Sequence, residues 1–461
     1  MKNTYYFIAI GGIGMSGLAK YLLEAGEDVQ GSDIKRNRNI EELEKLGAKI
    51  HIGHDESNLP ENCIVIASTA IRESNPELKK ARQLGLEILH RSDMLAKISK
   101  GLSGEKKKYF LGFSGTHGKT TTSGLAAYVL QKANLSPSFV VGGIVPEFGI
   151  NSNAGKGNHF VAELDESDGT IVKYAPEISI INNLEIDHLD FYEDGLQAIL
   201  NTFKLYLSNL SENATVIINN DNEGNKKLIE QNPNVKFTTF GLENADYMAK
   251  NIKLESDTTF DVYYKGEFLI SIKTQMAGVH NVYNTLAVIA SLHKSEVDLE
   301  VVKPHLYTFT GMGRRLQKTA EFSNITIFDD YAHHPTEIKA TLAALKSRTN
   351  NRVIAVFQPH RYTRLKGLWD NFLKAFKDAD MVYVTDVYAA SEDEIVGING
   401  DAFAKDLISY SPCEYLKGSI QDVAGQLIPK LKPTDTVVGL GAGTITTLGK
   451  DLEALKNEVK A

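Results

Sequence analysis

The sequence predicts an α/β protein of three domains, in which mostly parallel sheets are covered by helices on both faces. Three observations carry this prediction. The chain has 461 residues, a length that allows about three domains with a hydrophobic core each. Strand-like and helix-like segments alternate along it, which is typical of a buried parallel sheet. Glycine turns and polar clusters follow several of the strands, where open α/β sheets bind their ligands.

The composition is that of an ordinary soluble protein, with 42% hydrophobic and 23% charged residues. A net charge of −8 without a long basic run argues against a protein that coats nucleic acid. Cys63 and Cys413 are the only cysteines, which excludes a disulfide framework and fits a reducing cytoplasm. No apolar stretch approaches the ~18 residues of a membrane-spanning helix. We therefore expect a cytoplasmic monomer or homodimer that binds neither nucleic acid nor membrane.

The first domain is predicted at residues 1–104. Its first strand is a continuous apolar run that breaks at once into glycines, so we interpret it as a buried strand rather than a signal peptide. Short buried strands are predicted at 5–10, 28–32, 48–52 and 63–69. Helices are predicted at 17–25, 39–46 and 75–84. A charged, glycine-containing stretch at 100–108 is the predicted linker to the next domain.

A second domain is predicted at 105–312 and a third at 313–461. Strands of the second domain are predicted at 108–114, 160–164, 178–182 and 215–219, and its helices at 123–133 and 277–292. Polar and apolar residues alternate between 246 and 276, which predicts antiparallel strands at the side of this domain. Strands of the third domain are predicted at 325–328, 353–357, 381–385 and 436–440.

A glycine loop with the pattern G-x-G-x-x-G follows the first strand and contains Gly12, Gly14 and Gly17. Asp33 ends the second strand, about where an acid that binds a ribose belongs. The backbone of such a loop recognises a diphosphate rather than the group beyond it. The loop therefore predicts a nucleotide diphosphate here, and the alternative is a closely packed turn without a ligand.

A second glycine loop lies between a predicted strand and a predicted helix, and it gives the strongest indication of function. Its residues are Gly115, Thr116, His117, Gly118, Lys119, Thr120 and Thr121. Backbone N–H groups and the positive end of a helix dipole form an anion site at such a turn. Lys119, expected to be an exposed loop lysine, adds a positive charge, and the Thr120 hydroxyl is suited to a phosphate-bound magnesium ion. The alternative is a polar turn that caps an ordinary strand–helix unit.

Four carboxylates follow the predicted strand at 160–164, namely Glu163, Asp165, Glu166 and Asp168. So much negative charge at one strand end is costly unless a cation neutralises it, and magnesium is the simplest cation beside a phosphate loop. The alternative is a solvated acidic loop. His188 follows the next strand among Glu185, Asp187 and Asp190, where a metal or substrate role and a structural role are both open.

Further polar clusters follow the strands of the third domain, at 328–336, 358–364 and 386–392. They include His333, His360 and Arg361, and three such clusters at one sheet edge indicate a crevice that grips a carboxylate or an amine. Arg314 and Arg315 stand beside glycines at the second domain boundary. Paired guanidinium groups there are suited to a γ-phosphate, and the alternative is a surface ion pair.

Together these motifs make the chain resemble the Mur ligase family of bacterial cell-wall synthesis. The motifs that carry the resemblance are GGIGMSG (11–17), GTHGKTTT (115–122), DESD (165–168), DH (187–188), HNVYN (280–284), GRR (313–315), DDYAHHP (329–335), QPHRYTR (358–364) and DVYAA (386–390). They appear in family order over essentially the whole chain. Two mild departures are Ala9, where glycine is usual, and Leu316, where phenylalanine is more common.

The resemblance implies a Rossmann-like domain for a UDP-sugar, a central P-loop-type ATPase α/β domain and a C-terminal Rossmann-like domain that brings an amino acid. It also implies the activity. ATP phosphorylates the lactyl carboxylate of UDP-N-acetylmuramate, L-alanine attacks the acyl phosphate, and ADP and phosphate leave. ATP and Mg²⁺ are the expected cofactors, and UDP-N-acetylmuramate and L-alanine the expected substrates, in the synthesis of peptidoglycan precursors.

The resemblance also implies roles for individual residues. Residues 115–121 would hold the ATP phosphates, with Lys119 neutralising the transferred group, and Thr120, Glu166 and His188 would hold magnesium. Asn281 would bind adenine, Asp330 the ribose, and Arg314 or Arg315 the γ-phosphate. Gly12, Gly14 and Gly17 would approach the uridine diphosphate, and His360 and Arg361 the carboxylate of the amino acid.

Three alternatives remain open at the level of sequence. A nicotinamide-dependent dehydrogenase would explain the first glycine loop but leaves the Lys119 loop without a role. A binding module gated by ATP would bind both nucleotides without releasing phosphate. A family member that attaches a tripeptide would share most central motifs, but we expect it to carry tyrosine at the position of Ser167 and to lack the run from His360 to Tyr362.

Overall fold

The computed structural model describes residues 3–102, 106–189, 191–390 and 392–458, with the side chains of 457 and 458 left aside. Residues 103–105 of the expected linker, the boundary drawn at 104/105, and Asp190 lie outside the described residues. The chain folds around three sheets, of five, ten and six strands. This confirms the predicted α/β class with three domains.

The N-terminal sheet is parallel throughout, with the strand order β3-β2-β1-β4-β5 of a Rossmann-like fold. Its strands are β1 (Thr4–Ile8), β2 (Asp28–Asp33), β3 (Lys49–Ile52), β4 (Ile64–Ala67) and β5 (Ile88–His90). Its helices are α1 (Ile13–Glu24), α2 (Arg38–Lys45), α3 (Pro76–Gln83) and α4 (Arg91–Ser99). Helix α1 begins four residues earlier than predicted, since Gly12 of the glycine loop is its N-cap. The sequence prediction missed β5 and α4.

The central sheet has the order β15-β14-β13-β12-β11-β10-β6-β9-β7-β8. Its strands are β6 (Tyr109–Ser114), β7 (Ser138–Val145), β8 (Ile150–Asn153), β9 (His159–Glu163), β10 (Ile178–Ile181), β11 (Thr215–Asn219), β12 (Phe237–Gly241), β13 (Tyr247–Leu254), β14 (Thr258–Tyr264) and β15 (Glu267–Thr274). Its helices are α5 (Lys119–Lys132), α6 (Leu196–Ser208), α7 (Glu223–Gln231), α8 (Val279–Lys294) and α9 (Leu299–Thr308). Strand β6 pairs in parallel with β9 and β10, and β13 to β15 pair antiparallel at one side, as predicted.

The C-terminal sheet has the order β16-β17-β21-β18-β19-β20, and all its pairs except β16 with β17 are parallel. Its strands are β16 (Gln317–Phe322), β17 (Ile325–Asp330), β18 (Val353–Phe357), β19 (Met381–Val384), β20 (Cys413–Tyr415) and β21 (Thr436–Leu440). Its helices are α10 (Pro335–Lys346), α11 (Tyr362–Gly367), α12 (Trp369–Leu373), α13 (Gly400–Leu407), α14 (Ile420–Leu427) and α15 (Leu448–Glu458). In the part of the chain that the structure describes, every helix is too short or too polar to cross a membrane.

The N-terminal domain contacts the central domain through polar pairs. Arg91 Nη2 donates to Asp165 Oδ2 at 3.0 Å, and Lys173 Nζ lies 2.7 Å from Asp93 Oδ1. Asn151 Nδ2 donates to the carbonyl of Ile13 at 2.8 Å, directly beside the first glycine loop. The glycine loop of the first domain is therefore held against the central sheet.

The C-terminal domain contacts the segment that follows β10. Arg364 Nε donates to Asp187 Oδ1 at 3.0 Å, and both side chains are more than nine-tenths buried. Thr336 Oγ1 donates to Glu185 Oε2 at 2.6 Å, and His334 Nε2 lies 3.2 Å from the carbonyl of Ile186. These contacts bring the carboxyl ends of β10 and β17 to face each other.

We expect the substitution Arg364→Met to separate the C-terminal domain from the central domain. Without the guanidinium, Asp187 is a buried and unpaired charge, a loss worth about 3–5 kcal/mol in comparable pairs. The least costly response is to hydrate the carboxylate by opening the boundary. X-ray scattering in solution should therefore give a larger radius of gyration for the variant than for the wild type.

The matched control is Arg352→Met, which removes an arginine that pairs with Asp435 inside the C-terminal domain, with Arg352 Nη2 2.6 Å from Asp435 Oδ2. This variant should lower the melting temperature and leave the radius of gyration unchanged. An unchanged radius for Arg364→Met would show that the buried pair does not hold the two domains together.

Candidate active site

A cavity of about 480 Å³ lies between the central and C-terminal domains. It is within the size range of pockets for small molecules and cofactors. Among the residues that the sequence analysis assigned to binding, those that line it are His117, Gly118, Thr121, Asn281, Arg315 and Asp330. The two sheets thus contribute opposite walls of one cavity, as their facing strand ends require.

The second glycine loop forms the central-domain end of this cavity. Gly115 and Gly118 have φ angles of +115° and +82°, and Gly118 is the N-cap of α5. A Cβ atom at Gly115 would lie 2.7 Å from the carbonyl oxygen of Asn183, so only glycine fits there. The backbone N–H of Thr116 donates to that carbonyl at 2.8 Å. The loop therefore leads directly into a helix N-terminus, the arrangement that binds phosphate groups.

Lys119 is the first residue of α5, and its side chain folds back over the loop. Its Nζ donates to the carbonyls of Gly115 and Thr116 at 2.7 and 3.1 Å, and to Glu166 Oε1 at 2.9 Å. The expectation of an exposed loop lysine was wrong, since the side chain is only 13% exposed. Burial alone would lower the pKa of Lys119, but the charges of Glu166 and its acidic neighbours raise it above the usual value. Lys119 is therefore a fixed cation inside the site.

Glu166 is 2% exposed, so it does not belong to a solvated acidic loop. Burial raises the pKa of Glu166 to about 7, and the charge of Lys119 opposes that increase. Its Oε2 atom is buried and has no hydrogen-bond partner among the described residues. Asp165 pairs with Arg91, and although burial opposes the change, Lys119 and Arg91 hold the pKa of Asp165 below its usual range. Among the described residues, the cluster thus presents one carboxylate oxygen that has no hydrogen-bond partner.

The oxygen donors near Lys119 are of the kind that magnesium prefers. Thr120 Oγ1 donates to Glu163 Oε1 at 3.2 Å, so a hydroxyl and a second carboxylate lie at the same end of α5. Magnesium prefers one or two carboxylates together with phosphate and water oxygens, and the unpartnered Glu166 oxygen suits that preference. His188 follows β10 with φ of +52°, and burial lowers its pKa, which leaves a neutral ring with a free electron pair for a metal.

The two arginines at the domain boundary have different surroundings. Arg314 Nε pairs with Asp329 Oδ2 at 3.1 Å, and its Nη2 donates to the carbonyl of Gly441 at 2.8 Å. Arg314 is thus committed to the C-terminal sheet. Arg315 lines the cavity, and its Nη1 is 3.7 Å from Glu337 Oε1. Of the pair, Arg315 is the better placed to meet a ligand.

Asn281 and Asp330 both line the cavity, on opposite domains. Asn281 Nδ2 donates to the carbonyl of Ala277 at 2.8 Å, and its Oδ1 accepts from Asn284 at 2.9 Å. Asp330 accepts the backbone N–H groups of Leu316 and Ala332 at 2.7 and 2.8 Å. Burial raises the pKa of Asp330 to about 6, with Arg315 opposing. Each side chain is fixed by local bonds before any ligand binds.

His333, His360 and Arg361 come together at the ends of β17 and β18. The rings of His333 and His360 are 5.7 Å apart, and His360 Nδ1 accepts from Arg364 Nη1 at 3.1 Å. Burial lowers the pKa of His360 to about 4, and Arg364 adds to the effect, so the ring is neutral at pH 7. Arg361 Nε is 2.7 Å from Glu392 Oε1. This cluster forms a second polar site next to the Asp187–Arg364 pair.

The first glycine loop lies outside the cavity. Asp33 Oδ2 accepts from the N–H of Gly11 at 2.9 Å, so this acid shapes the loop. A Cβ atom at Gly14 would lie 2.8 Å from Arg91 Nη1, and one at Gly17 would lie 2.8 Å from Asn151 Nδ2. The loop packs closely against Arg91, which in turn pairs with Asp165 of the acidic cluster.

Several residues of the site were not singled out by the sequence analysis. Arg91 follows strand β5, which was not predicted. Glu337 lies inside a helix, where the search for polar residues after strands does not find it. Phe240 and Tyr283 line the cavity as aromatic walls. Phe240 lies near the end of β12, so the rule that ligands bind at strand ends could have found it.

Several residues in and beside the site have positive φ angles although they are not glycine. The angles are +61° at Ala9, +59° at Arg314, +51° at Leu316 and +71° at Arg361. Residues other than glycine rarely adopt this backbone conformation, and residues held in it are often found at functional sites. The two positions where the sequence departs from the family pattern, Ala9 and Leu316, are both among them.

Comparison with known proteins finds relatives that match nearly the whole chain. A UDP-N-acetylmuramate–L-alanine ligase from Geotalea daltonii is 40% identical over 450 residues, which are 97% of this chain and 96% of the relative. The structure of a UDP-N-acetylmuramate–alanine ligase from Thermotoga maritima is similar with a TM-score of 0.83 and 29% identity, covering 99% of both chains. A murein peptide ligase from Psychrobacter arcticus shares the fold, with a TM-score of 0.70 and 23% identity over 98% of both chains.

Three family models match successive parts of the chain. The Mur ligase catalytic domain matches residues 4–102, the Mur ligase middle domain 113–292, and the Mur ligase glutamate ligase domain 314–443. Their order agrees with the three sheets of the fold. The chain therefore belongs to the Mur ligase family.

Proposed function

We propose that the protein is an ATP-dependent ligase that joins L-alanine to the lactyl carboxylate of UDP-N-acetylmuramate, with release of ADP and phosphate. The observation that carries the proposal is the cavity whose walls are the phosphate loop of one domain and Arg315 of the other. Relatives named for this reaction match nearly the whole chain and support the same assignment. The reaction would supply a precursor of peptidoglycan.

In the first step a carboxylate oxygen of UDP-N-acetylmuramate forms a bond to the γ-phosphorus of ATP, and ADP leaves with the electron pair of the broken P–O bond. Such a transfer depends on alignment and charge neutralisation more than on covalent catalysis by the protein. The loop at 115–121 would bind the phosphates, with Lys119 beside the transferred group. Arg315 would approach the γ-phosphate from the opposite wall. Arg314, which pairs with Asp329, would instead hold the hinge.

Thr120, Glu166 and His188 would hold the magnesium ion, which supplies charge neutralisation on the phosphate oxygens when it is bound. The unpartnered Oε2 of Glu166 supports this assignment. Asn281 would bind adenine and Asp330 the ribose, since both line the cavity. ATP and Mg²⁺ are therefore the proposed cofactors.

In the second step the amine of L-alanine forms a bond to the acyl carbon. Phosphate leaves with the electron pair of the C–O bond and takes up the proton that the amine loses. Arg361 and His360 would bind the alanine carboxylate, with His333 beside them. Glu392 already holds Arg361 Nε at 2.7 Å, which fixes the direction of the guanidinium. A neutral His360 adds a polar contact without a competing charge.

The uridine diphosphate would bind at the first glycine loop, over Gly12, Gly14 and Gly17, with Asp33 at the end of β2. The pair between Arg91 and Asp165 supports this placement, because it joins the loop to the acidic cluster of the central domain. The lactyl carboxylate would then reach the γ-phosphate from the N-terminal side.

The assay that tests the proposal measures phosphate release with ATP, Mg²⁺ and UDP-N-acetylmuramate, with candidate amino acids or the tripeptide as the amine. We expect rapid release with L-alanine and little with the tripeptide. Preference for the tripeptide would change the proposed amine substrate but leave the assignment as a ligase in place. Binding of both nucleotides without phosphate release would contradict a ligase, and reduction of a nicotinamide would indicate a dehydrogenase.

We expect Lys119→Ala to lower kcat about a hundredfold or more, because the transferred phosphoryl group loses a fixed cation in a site shielded from water. Glu166 can take up a proton in the variant, since burial already raises its pKa to about 7, so the fold should persist. Circular dichroism checks the fold and phosphate release checks the rate. The control is Lys132→Ala at the other end of α5, which should keep its activity. A Lys119→Ala enzyme with nearly wild-type turnover at saturating ATP would exclude this role.

We expect Arg361→Lys to raise the KM for L-alanine about tenfold or more, and that for ATP far less. Lysine keeps the charge but not the planar fork that binds a carboxylate with two hydrogen bonds. Steady-state kinetics with each substrate varied in turn measures the difference. Arg352→Lys, at a residue whose side chain pairs with Asp435 and does not line the cavity, is the control for a general effect on the domain. Equal changes for both substrates would show that Arg361 does not select the amino acid.

A further inference from the structure

The imidazole of His117 lies between two carboxylates that come from different domains. Its Nδ1 is 3.2 Å from Glu337 Oε1 of α10, and its Nε2 is 3.6 Å from Glu185 Oε2 of the segment after β10. The ring also packs on His334, with ring centres 4.6 Å apart. About nine-tenths of the side chains of His117 and Glu337 are buried. A residue of the phosphate loop is thus tied to the C-terminal domain by its side chain.

The same residues could in principle hold a metal ion, since atoms of His117, Glu185 and His334 lie within 4.8 Å of one another. The hydrogen bonds favour a proton instead. His334 Nδ1 accepts from the N–H of Thr336 as an N-cap, and its Nε2 is 3.2 Å from the carbonyl of Ile186. Neither nitrogen of His334 therefore keeps an electron pair for a metal. An imidazolium at His117 donates to Glu337 through Nδ1, and its charge lies 3.6 Å from Glu185 through Nε2.

Glu337 joins three parts of the site through one carboxylate. Its Oε2 accepts the backbone N–H groups of His333 and His334 at 3.0 and 3.3 Å, which caps α10. Its Oε1 faces His117 and lies 3.7 Å from Arg315 Nη1. The carboxylate that fixes the start of α10 therefore also fixes the phosphate loop and the arginine of the opposite wall.

We infer that His117 and Glu337 are positioning residues for phosphoryl transfer, which hold the phosphate loop and Arg315 in register across the domain boundary. The inference rests on the proposed function, in which the loop and Arg315 bind the same triphosphate. His117 is held by its backbone to Asn183, since its N–H donates to Asn183 Oδ1 at 2.7 Å. A movement of α10 therefore reaches His117 through its imidazole, while Thr336 of α10 contacts the loop at Thr116 through Glu185.

The charge state of the pair is consistent with this role. Burial would lower the pKa of His117, but Glu185 and Glu337 raise it to about 9. The pKa of Glu337 is held well below its usual value by the neighbouring histidines and Arg315, although burial opposes the change. His334 is the remaining titratable group that packs on the ring, and burial lowers its pKa to about 4.

The sign of the pH dependence follows from these shifts. A histidine whose pKa is raised in the folded state stabilises that state fully when the pH is below its pKa in the unfolded chain, near 6.5. This stabilisation is lost as the pH rises through about 9. A glutamate with a lowered pKa stabilises above its unfolded value near 4.5, and loses this as the pH falls. The pair is therefore strongest between about pH 4.5 and 6.5 and weakens above that range.

The experiment compares Glu337→Gln, His117→Gln and the double variant with the wild type. Glutamine at 337 keeps an oxygen that can cap α10, so the helix should remain while the charge is lost. We expect each single variant to lower kcat about tenfold, and the double variant to be no slower than either single one. The melting-temperature advantage of the wild type over His117→Gln should disappear as the pH rises through about 9.

The matched control is Lys346→Gln, which neutralises an ion pair with Asp380 at the other end of α10, where the two atoms are 2.7 Å apart. Its kcat should equal that of the wild type. Unchanged rates in the single variants, or a double variant slowed by the product of the two single effects, would overturn the inference.

A failure of the proposed function would be recognised separately, because the wild type itself would then release no phosphate with UDP-N-acetylmuramate and L-alanine. In that case X-ray scattering in solution measures the radius of gyration of the same variants. A larger radius of gyration in both single variants, not increased further in the double variant, supports the pairing across the boundary. Radii equal to that of the wild type would refute it.

Discussion

The short segment that follows β10 is the structural element on which the site depends. Asn183 accepts the backbone N–H groups of Thr116 and His117, with its carbonyl and its side-chain oxygen respectively. Four residues later, Asp187 holds Arg364 of the C-terminal domain. One loop therefore fixes the second glycine loop on one side and the C-terminal sheet on the other. Because β10 is paired on both edges, this loop has a rigid support.

Buried charge explains why the domains meet where they do. Ion pairs with little access to water cross the boundary between the central and C-terminal domains, namely Arg364 with Asp187 and His117 with Glu337. Lys119 with Glu166 is a similar pair inside the central domain. Such pairs give little net stability compared with apolar packing, but a lone member is very costly. They therefore favour the arrangement of the domains in which each buried charged side chain contacts its oppositely charged partner. The cavity between the two domains lies beside such pairs, since His117 and Glu337 both line it.

The sequence predicted most of the fold because the buried strands are short apolar runs with clear turn signals. Strands β11, β18 and β21 begin and end at the predicted residues. Strand β5 was missed because it has three residues, too few to show a period, and α5 was placed too late because its first turn is the polar end of the phosphate loop. Asn281 and Asp330, which line the cavity, were singled out by the resemblance to the Mur ligase family.

What sequence could not predict is the pairing of residues that are far apart in the chain. Neighbouring Arg314 and Arg315 look equivalent, yet one faces Asp329 and the carbonyl of Gly441 while the other faces the cavity. The difference arises at the hinge, where Arg314 and Leu316 have positive φ angles on either side of Arg315. These two turns direct the consecutive side chains into different environments. The residue types indicate the chemistry of the site, and the strained backbone of the hinge determines which of the two arginines faces the cavity.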